Sequence, residues 1–260
     1  MLAANVSNGS VHVWQRNRDV FLHLWKAELS WPIVEPVLIM IGLGLGLGTF
    51  VELDQDQDYL QFITPGLLAV FPMFAAVSEC GWGSYTRMEM QHTFDAIIAT
   101  PVSIDEIITG EILWAASRAA LNTFYILLVA LVLTPFYDLV ESPLFWLTLP
   151  FAFLHGFMFG AMSLSYTAHV RAMSQLMYFF SLIVMPMFYL GGVFFPLDDL
   201  PRGFQIAAWF LPITHVVEIN RWLISGDWDW TLIFNFLWIV IAAGVFYWIA
   251  LWRVRKRMIV

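Results

Sequence analysis

The sequence is poor in cysteine, in lysine and in charge of either sign. Its one cysteine, Cys80, excludes an intramolecular disulfide and any thiolate-based zinc site. Its two lysines exclude a nucleotide-binding loop. Such a loop reads Gly-x-x-x-x-Gly-Lys-Ser/Thr, because the lysine meets the phosphates and the hydroxyl holds magnesium. Lys26 is followed by Ala27 and Lys256 by Arg257, so any dependence on ATP must come from another polypeptide. Charged residues make up 12% of the 260 positions, too few to coat a soluble domain of that size. The net charge of −8 argues against a nucleic-acid partner, which needs a basic face. No cleavable signal peptide is expected: Arg16 and Arg18 follow a polar opening, and the first long apolar run begins only after Pro32.

Apolar residues are what the chain has in abundance, at 60%, with aromatics at 17%. A membrane-crossing helix needs about 20 of them, so six spans consume about 120 and leave almost no room for an extramembrane catalytic domain. Windows free of Asp, Glu, Lys and Arg cover 36–51, 59–78, 119–137, 142–170, 172–197 and 230–252. The expected fold is an all-α membrane protein, a single transmembrane domain over 1–260. Its six spans are predicted at 32–51, 61–83, 109–134, 143–167, 172–195 and 231–252. A seventh apolar window, 203–218, is short and broken by Pro212. It is expected to lie at the interface or re-enter within an external segment, 196–230.

Basic residues orient the spans. Arg16, Arg18, Lys26, Arg87, Arg171, Arg253, Arg255, Lys256 and Arg257 all fall on one side of a six-span chain. The other side carries Glu52, Asp54, Asp56, Asp58, Asp138, Glu141, Asp198, Asp199, Asp227 and Asp229, with Arg202 and Arg221. Both termini are therefore expected in the cytoplasm. Residues 8–31 mix Trp14, Phe21, Leu24 and Trp25 with Arg16, Arg18 and Lys26, which predicts an amphipathic helix along the cytoplasmic interface.

Chemistry-bearing residues are scattered. The six histidines form no His-x-x-x-His or His-Glu-x-x-His pattern, so no metal site is expected. His155 alone should lie deep in a span, where an interhelical hydrogen bond is the expected role. Glu79 closes span two near Arg87, and Arg118 lies seven residues after Glu111, within reach of a pair. Gly42, Gly44, Gly46 and Gly48 alternate along span one, which allows close helix approach and makes the segment bendable.

The segment 85–108 predicts a short amphipathic helix bearing Phe94, Ile97 and Ile98, a break at Thr100–Pro101, then Ser103 capping the next helix with Glu106 three residues on. An exposed apolar ridge on such a loop suits docking into a partner's groove. Two further motifs accompany it. One is Phe62-Ile63-Thr64-Pro65-Gly66-Leu67-Leu68. The other runs from Tyr189 through Gly191, Gly192, Pro196 and Asp199 to Pro201, followed by Phe210-Leu211-Pro212-Ile213-Thr214-His215.

Together these three stretches, in this order, resemble the type-2 ABC exporter permeases, the ABC-2 type transmembrane subunits. The stretch with Arg87, Met88, Glu89, Thr93, Gly110 and Glu111 is most similar to the nodulation protein J and O-antigen exporter group. The resemblance implies a homodimer of six-span subunits with two cytoplasmic ATPase subunits, which supply the ATP and magnesium. It makes Glu89, Thr93, Phe94, Ile97, Ile98, Thr100 and Pro101 the ATPase-coupling residues. It gives Pro65, Gly66, Gly191, Gly192, Pro196, Pro201 and Pro212 structural roles. Its substrates are amphiphiles such as lipo-oligosaccharides, lipid-linked glycans and some drugs.

A translocation path lined by spans one, two and five is then expected, with Phe71, Phe74, Glu79, Trp82, Tyr178, Phe179, Phe188 and Tyr189 placed to stack on sugar rings or contact acyl chains. No catalytic residue is assigned. A multidrug efflux permease remains the nearest alternative. A secondary carrier or channel would show paired intramembrane charges or an inverted repeat, and an intramembrane enzyme a converging Asp/His/Ser set. A purely structural scaffold would tolerate charge reversal in the coupling segment.

Overall fold

A computed structural model describes residues 8–48, 50, 58–226 and 228–258. Every regular element among them is helical: α1 (Gly9–Ile39), α2 (Tyr59–Ser78), α3 (Thr93–Ile98), α4 (Ile104–Tyr137), α5 (Thr148–Thr167), α6 (Gln175–Phe179), α7 (Met185–Leu190), α8 (Arg202–Trp209), α9 (Pro212–Ser225) and α10 (Thr231–Met258). The acids Glu52, Asp54, Asp56 and Asp227 fall outside the described residues.

Four helices are long and apolar enough to cross a bilayer: Tyr59–Met90, Ile104–Tyr137, Pro143–Thr167 and Thr231–Met258. They cover predicted spans two, three, four and six. Where spans one and five were predicted, the apolar helices are shorter, over Val34–Gly44 and Gln175–Leu190. Wide π-type turns occupy both, over Met40–Leu47 and Phe180–Val184. The chain after α7 then turns at Gly191 and Gly192, the latter at φ +76°.

The separate interface helix predicted at 8–31 is not separate. Residues 9–47 form one unbroken helical run, with α1 packed along α4. Trp14 donates from Nε1 to Ser117 Oγ at 2.9 Å, and Phe21 lies against Trp114. Apolar contact with α4, rather than the headgroup plane alone, therefore fixes this amphipathic face. Of the alternating glycines, Gly44 serves packing within the chain, since a Cβ there would stand 2.3 Å from Leu60.

Ser103 and Glu106 cap α4 as their spacing predicts. Glu106 N donates to Ser103 Oγ, and Ser103 N donates to Glu106 Oε2 at 2.7 Å. Glu106 also accepts from Gly9 N at 3.2 Å, so one carboxylate serves the first turns of α1 and α4.

The two glycine-proline motifs meet each other. A Cβ on Gly66 would approach Val193 Cγ1 to 2.8 Å, and one on Gly191 would approach Ile213 to 2.3 Å. Tyr59 donates to the Phe194 carbonyl, and Arg221 of α9 donates to the Gly192 carbonyl at 2.6 Å. Pro65 lies inside α2, Pro196 precedes a single 3-10 turn, Pro201 precedes α8, and Pro212 begins α9. Residues 191–225 are thus bound onto the α2 end of the bundle, and α9 is largely buried. Gly66→Leu should overpack this junction and destabilise the fold by about 1–3 kcal/mol. Thermal unfolding of the detergent-solubilised chain checks it, and an unchanged midpoint would contradict the packing described.

Candidate functional site

Apolar helices packed together leave few places for charge, and here charge gathers at one end of the bundle. Glu111, fully buried on α4, is the centre. Its Oε2 accepts from Arg87 Nε at 2.9 Å, Arg87 Nη2 at 2.6 Å and Ser84 Oγ at 2.6 Å. Its Oε1 accepts from Asn17 at 2.9 Å and Arg16 at 3.4 Å. Arg87 also pairs with Glu79 at 2.8 Å. Burial lowers the pKa of Arg16 from its ordinary value, and the Glu111 charge opposes that shift.

Arg118 does not pair with Glu111, as the spacing suggested. It reaches Glu28 on α1 at 2.7 Å and Glu79 at 3.7 Å. The reason is geometric. Seven residues separate Glu111 from Arg118 along α4, about 10 Å of rise, while α1 and the end of α2 lie alongside. The result is a relay of three arginines and three glutamates joining α1, α2 and α4.

The coupling segment is seated against this network. A π-type turn over Thr86–Met90 follows α2, His92 adopts a left-handed conformation at φ 50°, and α3 begins at Thr93. Phe94, expected on an exposed ridge, is instead buried against Val13, Met88 and Ile107. Ile97 is half-buried at the same cluster, while Ile98, Thr100 and Pro101 face outward. The ridge is therefore rotated, because the largest apolar side chain of α3 faces the bundle. Thr100 Oγ1 donates to the Ile97 carbonyl at 2.6 Å, closing the helix before Pro101. Glu89 pairs with Arg257 at 2.7 Å, and Asp105 pairs with Arg255, so the basic end of α10 binds both flanks of α3.

Two adjoining cavities, of about 460 and 420 Å³, open beside the network and share Glu28, Glu79, Gly83 and Arg118 as walls. The first runs past Thr93, Gln91 and Trp82, and the second reaches Phe71, Phe74 and Asn122. A continuous aromatic group borders them. Phe74 contacts Phe71, Phe180 and Phe188 at 6.2, 5.6 and 5.3 Å, Phe180 contacts Trp82 at 5.6 Å, and Phe188 contacts Tyr189 at 4.8 Å.

The predicted path residues Phe71, Phe74, Glu79, Trp82, Phe188 and Tyr189 are thus brought together. Tyr178 is not among them; it is exposed and outside the aromatic group. Phe179 turns away to stack on Tyr166 at 4.8 Å. Phe180, Phe194 and Asn122 complete the site and were not singled out by pattern.

His155 differs from expectation as well. It is buried between Phe151 and Phe159, and neither ring nitrogen has a hydrogen-bond partner. The interhelical bond is made instead by His215, whose Nδ1 lies 2.9 Å from Asn235 Oδ1 on α10. Among the described residues no cluster of His, Cys, Asp and Glu is placed to hold a metal.

Long apolar helices, a charged relay at one end and an aromatic cleft describe a helical membrane protein. Residues 11–225 match the ABC-2 type transporter family, and the chain belongs to that family as a transporter permease. It is similar to nodulation protein J of Rhizobium leguminosarum bv. trifolii, 33% identical over 83% of this chain and 81% of the relative. Nodulation protein J of Rhizobium meliloti (strain 1021) is 31% identical over 87% and 86%. The inner membrane transport permease YadH of Escherichia coli (strain K12) is 25% identical over 94% and 93%. Membership implies work with an ABC ATPase subunit and a membrane location.

Glu111→Gln should leave Arg87 poorly compensated and cost about 3–5 kcal/mol of stability. A cycle of Glu111→Gln, Arg87→Gln and the double variant, read by thermal unfolding, should give strong non-additivity. Simple addition of the two losses would contradict the buried pair.

Proposed function

We propose that the chain is the transmembrane half of an ATP-driven exporter that moves an amphiphile, of the lipo-oligosaccharide or lipid-linked glycan class, out of the inner membrane. It acts as a homodimer with two cytoplasmic ATPase subunits, on which ATP and magnesium are bound. It crosses the membrane six times, with the helices at Val34–Gly44 and Gln175–Leu190 as the first and fifth spans. Both termini are cytoplasmic. Support for that orientation comes from Arg16, Arg18, Arg87, Arg253, Arg255 and Arg257, which lie at the α3 end, against Asp138, Glu141, Asp198, Asp199 and Asp229 at the other.

The observation that carries this reading is the seating of α3. Phe94 anchors the helix in the bundle, Arg87 ties its leading turn to Glu111, and Arg257 ties Glu89 to α10. The outward face, with Asp95, Ala96, Ile98 and Thr100, is left for the ATPase. A displacement of that face would pass as a rigid movement to Glu111 and then, through Arg87 and Glu79, to the cleft. Buried ion pairs suit such transmission because they hold one geometry and tolerate stretching poorly. ATP drives such export against an opposing gradient, and a path through protein spares the polar headgroup the cost of entering hydrocarbon.

Ile98→Asp should abolish co-purification with the ATPase and ATP-dependent transport while leaving the stability within about 0.5 kcal/mol of the parent, as for other surface changes. Normal co-purification would overturn the coupling assignment. Orientation is checked separately. Cys80 is buried, so a cysteine introduced at Asp199 should be the reactive thiol, labelled by an impermeant maleimide from outside only. Labelling from the cytoplasm would invert the topology.

A further inference from the structure

The basic end of α10 carries more positive charge than the described chain neutralises. Of its four cations, Arg255 pairs with Asp105 and Arg257 with Glu89. Arg253 and Lys256 pair with no carboxylate among the described residues. Arg253 donates to the Ser165 carbonyl at 3.4 Å, near the end of α5, where a helix terminus supplies only partial negative charge. His169, just beyond α5, registers the excess. Desolvation is the first cause lowering its pKa from the ordinary value, and the charges of Arg253, Arg257 and Lys256 add to it.

These two cations stand where the helix leaves hydrocarbon. The twenty-one residues from Thr231 to Trp252 rise about 31 Å, the thickness of a bilayer's apolar core. Ile241, Val245, Trp248 and Trp252 are exposed and recur at helical spacing, so they share one face of α10. Lys256 continues that stripe one turn on, with its Nζ 5.8 Å from the centre of the Trp252 ring. Arg253 stands beside it, at the edge where α10 meets α5. An apolar stripe ending in a tryptophan and two uncompensated cations suits a ligand with an apolar tail and an anionic head.

Other occupants satisfy one half of the edge. An acidic patch of the ATPase would match the charge and leave the stripe bare. A zwitterionic lipid would cover the stripe but bring a cation of its own. A two-fold contact with a second copy, centred on the stripe, would bring two Lys256 ammoniums together at one depth. We propose that this edge binds an anionic phospholipid of the inner leaflet, with its phosphate held by Arg253 and Lys256 and an acyl chain laid along Trp248 and Val245. The site goes beyond the exporter reading and takes only the leaflet from it.

The test is native mass spectrometry of the full chain in uncharged detergent. The probes are palmitoyl-oleoyl-phosphatidylglycerol and the phosphatidylcholine with the same tails. The glycerol lipid should bind about thirtyfold more tightly, the worth of two cations beside an anionic head. Arg253→Gln combined with Lys256→Gln should bring the preference close to unity, with the choline lipid bound as before. Lys256→Gln alone, at an exposed position, should lose about fivefold, and it decides the matter if the double variant fails to fold.

Lys26→Gln is the control, because Lys26 is also exposed and also rests over a tryptophan, Trp25, but lies on α1. It should leave the preference unchanged; an equal loss there would reduce the site to general surface charge and overturn it. Excess inorganic phosphate should not displace the lipid, and displacement would assign the edge to a soluble anion instead. Equal binding of the two lipids by the parent would also overturn the proposal. So would loss of ATPase co-purification in Lys256→Gln with the lipid preference intact. The assay has no sides, so an inverted topology would move the site to the other leaflet without removing it.

Discussion

A carboxylate cannot stand alone in a low-dielectric interior, and much of this fold is arranged around that constraint at Glu111. Both oxygens are occupied: Asn17 and Arg16 from α1 on one, Ser84 and Arg87 from the end of α2 on the other. Satisfying the charge therefore requires two separate segments to converge on α4. The wide helical turns after Ser78 belong to the same requirement, since they carry Glu79, Ser84 and Arg87 around to face α4 and not lipid. Arg118 repeats the device one level further along, with Glu28 and Glu79.

From that convergence the rest of the functional end follows. Arg87 is fixed, so the turn after it is fixed, and Phe94 drops into the space between Val13, Met88 and Ile107. The end of α10 closes over α3 through Arg255 and Arg257. At the opposite end the organising contact is different in kind. There Gly66 lacks a side chain so that α2 can meet the backbone of Val193, Gly191 makes room for Ile213, and Arg221 donates to the Gly192 carbonyl at the turn. Charge joins one end and close packing the other, with apolar helices between them.

Much of this was legible in the sequence because it rests on local or compositional signals. The apolar windows, the Ser103–Glu106 cap and the Thr100–Pro101 break each need only neighbours in sequence. What was not legible depends on partners about ninety residues or more apart. Arg118 finds Glu28, Asn17 finds Glu111, and Arg255 finds Asp105 across distances that spacing rules do not reach. Phe94 was placed on the wrong face for the same reason: amphipathicity gives the apolar stripe of a short helix but not whether the bundle or a partner covers it. Tyr178 and Phe179 show the limit for aromatics, where adjacent rings point to different surroundings and composition treats them alike.

The central claim is that the Glu111 network carries motion from α3 to the cleft. Spin labels at Ser78, an exposed position beside the cleft, would report it in the reconstituted complex with the ATPase. The distance between labels on the two copies of the proposed homodimer should shift on ATP binding in the parent and stay fixed in Glu111→Gln, with the ATPase still attached in both. An equal shift in the two proteins would contradict the account.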